Sequence, residues 1–122
     1  NSHTITAQCW VYAFGKKKIV DQSEFSVKFT KINGSVGVGV ANSEYKKFFS
    51  GNSYLRYYNN GDCFDGNDCR YNQGNKFKVG EKLTVAVNLE EGVIQWRVDK
   101  KIRFQLKSEM LKDKSLNWVP FI

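Results

Sequence analysis

An all-β, antiparallel β-sandwich is the fold class that this sequence predicts, and three observations predict it. Apolar and polar residues alternate through run after run, the period of a half-buried strand. Turn dipeptides part the runs at intervals of about 8–15 residues, the spacing of short strands in a sandwich. Helix signal is confined to one short segment near the end of the chain.

The elements follow in order. A first strand is expected within "ITAQCWVYAF", Ile5 to Phe14. In "EFSVKFT" Phe25, Val27 and Phe29 alternate with Glu24, Ser26, Lys28 and Thr30. Asn33-Gly34 then reads as a two-residue hairpin turn into "SVGVGVA". There Val36, Val38 and Val40 line one face, and Gly37 and Gly39 leave the other bare, so bulky side chains are expected close over that backbone. "SYLRYY" is a further strand. "KLTVAVNL" and "VIQWRVD" alternate across Glu90-Glu91-Gly92, and "KIRFQLK" repeats the pattern after Asp99-Lys100. "SEMLKDK", from Ser108 to Lys114, offers an N-cap serine and one turn of helix formers. Pro120 in "NWVPFI" confines that last strand to a sheet edge or a bulge. Trp96 and Trp118 fall on strands and are expected in the core, as is Trp10.

With 122 residues the chain is expected to form one domain, residues 1–122, able to bury its own core. Aromatic content of 15% excludes a disordered chain. No apolar run approaches the roughly 18 residues of a membrane span. The chain opens without an initiator Met and reads as a processed product or a piece of something larger. Net charge is +7, which raises nucleic acid, anionic lipid or an acidic protein as partners. Lysines outnumber arginines 15 to 4 and are scattered, however, so a solvated surface is favoured over nucleic-acid binding. The odd count of three cysteines leans towards an intracellular, cytoplasmic setting.

Two segments together resemble the SPRY domain family. The first is "EFSVKFTKINGSVGVGVA"; the second is "FKVGEKLTVAVNLEEGVIQWRVDKKIRFQL", followed about ten residues later by "NWVPFI". Val79-Gly80-Glu81 stands where that family has its VGD motif, and Asn88-Leu89-Glu90-Glu91-Gly92 at its acidic hairpin. Val98-Asp99-Lys100-Lys101 takes the place of its NGK turn, and Trp118-Val119-Pro120-Phe121 that of its proline strand. The resemblance covers residues 24–122. It departs in having Asn88 for aspartate, Asp-Lys for the Asn-Gly turn, and "SYLRYY" for a stretch rich in Gly and Trp. It implies a concanavalin-like jelly roll in which one or more strands after the proline strand are either cut off from this sequence or supplied by another segment. It also implies a non-catalytic module that holds peptides or protein surfaces with its inter-strand loops, within a larger regulatory or ubiquitin-ligase-type protein.

Chemistry-bearing motifs are sparse. His3, the only histidine, lies in an expected mobile terminus, and no Ser-His or Cys-His pair can be built. Glu90 and Glu91 adjoin a hairpin and point to opposite faces, unlike a glycosidase pair. Neither phosphate loop nor HExxH is present. The expectation is no enzyme and no cofactor.

"NNGDCFDGNDCRYNQGN", Asn59 to Asn75, stands apart. Asp62, Asp65, Asn67 and Asp68 offer oxygen ligands to a cation, but the EF-hand spacing fails. Cys63 and Cys69 lack a second pair for zinc. A disulfide between them stays open, and a polar hairpin tip is the reading its turn dipeptides favour. Contact residues on a rigid sandwich concentrate in loops. The candidates are Tyr45, Phe48 and Phe49 in "NSEYKKFFSGNS", then Arg56, Asp65, Arg70 and Tyr71, and Lys100 at the Asp99–Lys101 turn. An acidic epitope suits the net charge. The competing readings are a carbohydrate-binding module using Tyr57, Tyr58, Asn59 and Asp62, single-stranded nucleic acid stacked on "YLRYY", and a structural subunit of a large assembly.

Overall fold

A computed structural model of the chain describes residues 18–32, 34–42, 54–66 and 68–122, and the backbone of 2–5. Among the described residues, ten strands form two sheets. Sheet A has the order β1 (Ser2–Ile5), β2 (Gln22–Phe29), β7 (Lys82–Asn88), β8 (Val93–Val98), β9 (Lys101–Lys107). Sheet B has the order β10 (Trp118–Phe121), β3 (Gly37–Asn42), β4 (Tyr54–Tyr58), β5 (Cys63–Phe64), β6 (Cys69–Arg70). The sandwich expected from the alternation is the observed fold.

The inward residues of both sheets make one core. Phe25, Val27 and Phe29 of β2, Leu83, Val85 and Val87 of β7, and Ile94, Trp96 and Val98 of β8 face Val38, Val40, Leu55, Tyr57 and Trp118. The Trp96 indole N–H donates to the Val38 carbonyl at 2.8 Å, which ties the two layers together and satisfies a buried donor. Tyr57 lies among Phe77, Trp96 and Phe104, with ring centroids 5.2–5.7 Å away.

Three expectations are corrected. The hairpin expected between β2 and β3 is not formed, because the two strands lie in different sheets. Both strands have an apolar face, and facing each other across the core buries both. The backbone of His3 is no free terminus but pairs with Val27, and β1 runs parallel to β2, the one parallel pairing among the described strands. The segment Asn59 to Asn75 is no continuous loop, because β5 and β6 extend sheet B within it. The expected strand through Ile5–Phe14 lies, apart from Ile5, outside the described residues, and so does Trp10.

Pro120 sits on β10 at the edge of sheet B. The Trp118 carbonyl on that strand's outer side accepts the Ile19 N–H at 2.8 Å. Two residues on, the missing Pro120 N–H faces the same outer side and costs no ladder bond. The short helix is a single 3-10 turn, Glu109–Lys112, whose first free N–H groups include that of Met110, donated to the Ser108 hydroxyl. No helix among the described residues is long and apolar enough to cross a membrane.

Candidate functional site: a hairpin and the groove beside it

The β5–β6 hairpin is held by its own acids and amides. The Asp65 carboxylate accepts the Asp68 N–H at 2.8 Å, and the Asp65 N–H donates to the Asp68 carbonyl, closing the tip. Asp62 accepts from the Asn72 N–H and the Asn60 amide. The Gly61 carbonyl accepts both the Gln73 and Gly74 N–H groups, pinning the outgoing chain to the incoming turn. Gly74 has no alternative there: a Cβ would come within 2.9 Å of the Tyr57 ring and hydroxyl. These acids are therefore used as turn-forming acceptors, each beside its own donor. Among the described residues no three His, Cys, Asp or Glu side chains group as a metal site.

Register decides the cysteine question. Cys63 pairs with Arg70, and Phe64 with Cys69. Side chains directly opposite share a sheet face, and neighbours along a strand do not. Cys63 and Cys69 thus point to opposite faces, and both are free thiols. Cys63 enters the core, where burial, reinforced by the Asp65 carboxylate, pushes its pKa up to about 11.

Beyond the tip, Arg70 Nε lies 2.6 Å from Asp65 Oδ2, with the Arg70 side chain 54% exposed. Tyr71, next along, is 69% exposed. Arg70, with Asp65 and Gln73, forms one wall of a groove of about 590 Å³ whose other wall is Phe104–Met110. Here β9, at the edge of sheet A, lies across from the hairpin at the edge of sheet B. The groove mixes apolar Phe104, Leu106 and Met110 with polar Gln105, Lys107 and Ser108.

The structure therefore brings Asp65 and Arg70 together at the groove, leaves Tyr71 exposed next to Arg70 in the chain, and separates the other candidates from them. Tyr45, Phe48 and Phe49 lie outside the described residues. Arg56 was expected to contact a partner with the loop residues, but in the middle of β4 it is only 8% exposed. Its guanidinium sits over the rings of Phe121, at 4.5 Å, and Tyr58, at 5.2 Å. Gly37 makes room for it, as the bare face of β3 suggested: a Cβ on Gly37 would stand 2.7 Å from Arg56 Nε. Arginine here spends its long stem and flat head on packing. Lys100 is exposed in the β8–β9 turn and lines a separate depression with Glu24, Ser26, Lys82, Thr84 and Arg97. Of the carbohydrate candidates, Tyr57 is buried in the core, so it forms no sugar platform.

Sequence reading missed two surfaces. Phe104–Met110, the second groove wall, read only as strand and helix start. The outer face of sheet A carries a fixed polar network: Arg97 donates from Nε and Nη2 to Gln95 Oε1 at 3.0 and 2.7 Å, Gln95 Nε2 donates to Gln105 Oε1, and Ser26 and Thr84 share a hydrogen bond of 2.9 Å. The only signal for it was polar residues at alternate strand positions, which any solvated face would show.

The motif positions of the second segment have local tasks. Glu81 accepts the Lys78 N–H on Oε1 and pairs through Oε2 with Arg103 at 2.7 Å, so an acid closes this turn and anchors β9. Asn88 Oδ1 accepts the Glu91 N–H, which an aspartate would do as well. Compared with models of known protein families and with curated proteins, the sequence matches none.

Proposed function

We propose that this protein is a SPRY-like, non-catalytic recognition module, which binds a peptide or protein surface beside the β5–β6 hairpin. The observation that carries this reading is the presentation of Arg70 and Tyr71. An exposed arginine is oriented by Asp65 next to an exposed tyrosine, on a hairpin braced by its own backbone bonds and flanking a mixed apolar and polar groove. Arginine and tyrosine are the residue types that most often anchor interfaces, and rigid presentation lowers the entropy lost on binding. The two free thiols on opposite hairpin faces support a reducing, cytoplasmic setting. The ordered motifs from residue 24 onward support the family likeness, and with it a place within a larger regulatory protein.

The test is capture from an arrayed peptide library, with the wild type against Arg70→Ala/Tyr71→Ala. Both residues are exposed, so the double variant should fold normally and lose the captured peptides by about tenfold or more in affinity. Undiminished capture by the double variant, with Phe48→Ala/Phe49→Ala equally silent, would refute the loop reading.

A further inference from the structure

The wall of the groove formed by β9 is a strand edge. β9 pairs with β8 and, among the described residues, with nothing on its other side. In an antiparallel ladder, bonded and unbonded positions alternate along each strand. The Ser108 N–H donates to the Gly92 carbonyl at 2.9 Å, which sets the phase. With Val93 opposite Lys107 and Gln95 opposite Gln105, it is Gln105 and Lys107 that turn their N–H and C=O away from β8, into the groove. Towards the turn the ladder is broken by a bulge, where the register slips between Trp96 and Arg97. The slip swings Arg103 to Glu81 and leaves Ile102 on the outer face, 53% exposed. The usable edge is therefore the short stretch from Phe104 to Lys107.

Charge selects what would lie there. Each carboxylate bordering the groove already has a cation: Asp65 has Arg70, and Glu109 has Lys112. Lys107 forms none of the ion pairs found among the described residues, nor does Lys101 at the other end of β9. The unmatched charge is positive. It disfavours a second copy of this basic chain along its own lysine-bearing edge and favours an acidic one.

We infer that an extended, acidic peptide binds by adding a strand to β9, its main chain bonding Gln105 and Lys107. Alternate residues would meet different surroundings: apolar ones the Leu106 and Met110 side of the groove, acidic ones Lys107. The inference rests on the recognition reading above and adds the binding mode and the class of ligand.

The probe is a short peptide alternating glutamate and valine, compared with the same peptide N-methylated at every second residue. Methylation removes main-chain donors and leaves all side chains in place, so this comparison does not depend on the folding of a protein variant. Binding is followed by fluorescence anisotropy, and amide hydrogen exchange is followed on the whole chain. The expected result is binding that slows exchange at Gln105 and Lys107, falls about tenfold or more on N-methylation, and weakens in Lys107→Glu. Equal binding of both peptides, or protection elsewhere than β9, overturns strand addition. If such binding still depends on Arg70 and Tyr71, the recognition reading survives that loss. Failure of the unmethylated peptide to bind overturns the inference as well, and the library capture with Arg70→Ala/Tyr71→Ala then judges the broader reading separately.

Discussion

A methyl group on Gly39 would stand 1.8 Å from the Leu55 carbonyl oxygen, inside the backbone of the neighbouring strand. At Gly37 the obstacles are the Arg56 guanidinium at 2.7 Å and the Tyr58 ring at 2.8 Å, both parts of side chains that can move. The two glycines read alike in "SVGVGVA", yet only the structure ranks them. Gly39→Ala is expected to cost about 3 kcal/mol or more, because backbone must shift, and Gly37→Ala about 1 kcal/mol. Urea unfolding midpoints of the two variants check this, and equal midpoints would contradict it. At the same scale, the sequence marked Arg56 and Arg70 as equivalent contacts. Their neighbours separate them: Arg56 faces two rings and a bare glycine strand, and Arg70 faces one carboxylate at the mouth of a groove.

The β8–β9 hairpin turns through Asp99 at φ 53° and Lys100 at φ 68°, both left-handed. Such a two-residue turn matches the twist of the strands but prefers Asn-Gly, because a Cβ is strained there. Lys100→Gly should relieve part of this strain. Its gain is about 0.5–1 kcal/mol, less than the full strain because glycine also loosens the unfolded chain. A higher thermal midpoint is the expected readout, and a lowered one would show that Lys100 makes a contact outweighing its backbone. Strand positions were legible at this scale because alternation is local: β2, β3, β4, β7, β8, β9 and β10 all fall where their patterns lie. Pairing was not. Asn33-Gly34 has the composition of a hairpin turn, but its flanking strands bury their apolar faces by opposing one another across the core. β5 and β6, two residues each, are too short to show any period.

For the whole molecule, two buried groups couple stability to alkaline pH. Burial pushes the Tyr57 hydroxyl up to about 12, eased by the nearby Arg103, and the Cys63 thiol to about 11. Both groups lose protons more easily in the unfolded chain, so unfolding releases protons above pH 9. Stability is then full below the unfolded values and falls as pH rises between 9 and 12. Tyr57→Phe should flatten the upper part of this fall. At neutral pH it should change stability little, since the Tyr57 hydroxyl has no hydrogen-bond partner among the described residues. Denaturant titrations across that pH range test both statements, and an unchanged slope in the variant would refute the assignment.

By itself the sequence determined the class of the fold, the apolar face of most strands, the glycine strand that something bulky must cover, and the edge position of Pro120. Each of these follows from a period of two or from the stereochemistry of a single residue, which neighbours in the chain suffice to specify. Only the tertiary structure decided that β2 and β3 face each other across the core, that Cys63 and Cys69 diverge, and that Arg56 is buried while Arg70 borders a groove. Those outcomes depend on strand register and on which sheet a strand joins. Both are settled by contacts between residues far apart in the chain, where burial of one apolar face against another outweighs the preference of any local turn.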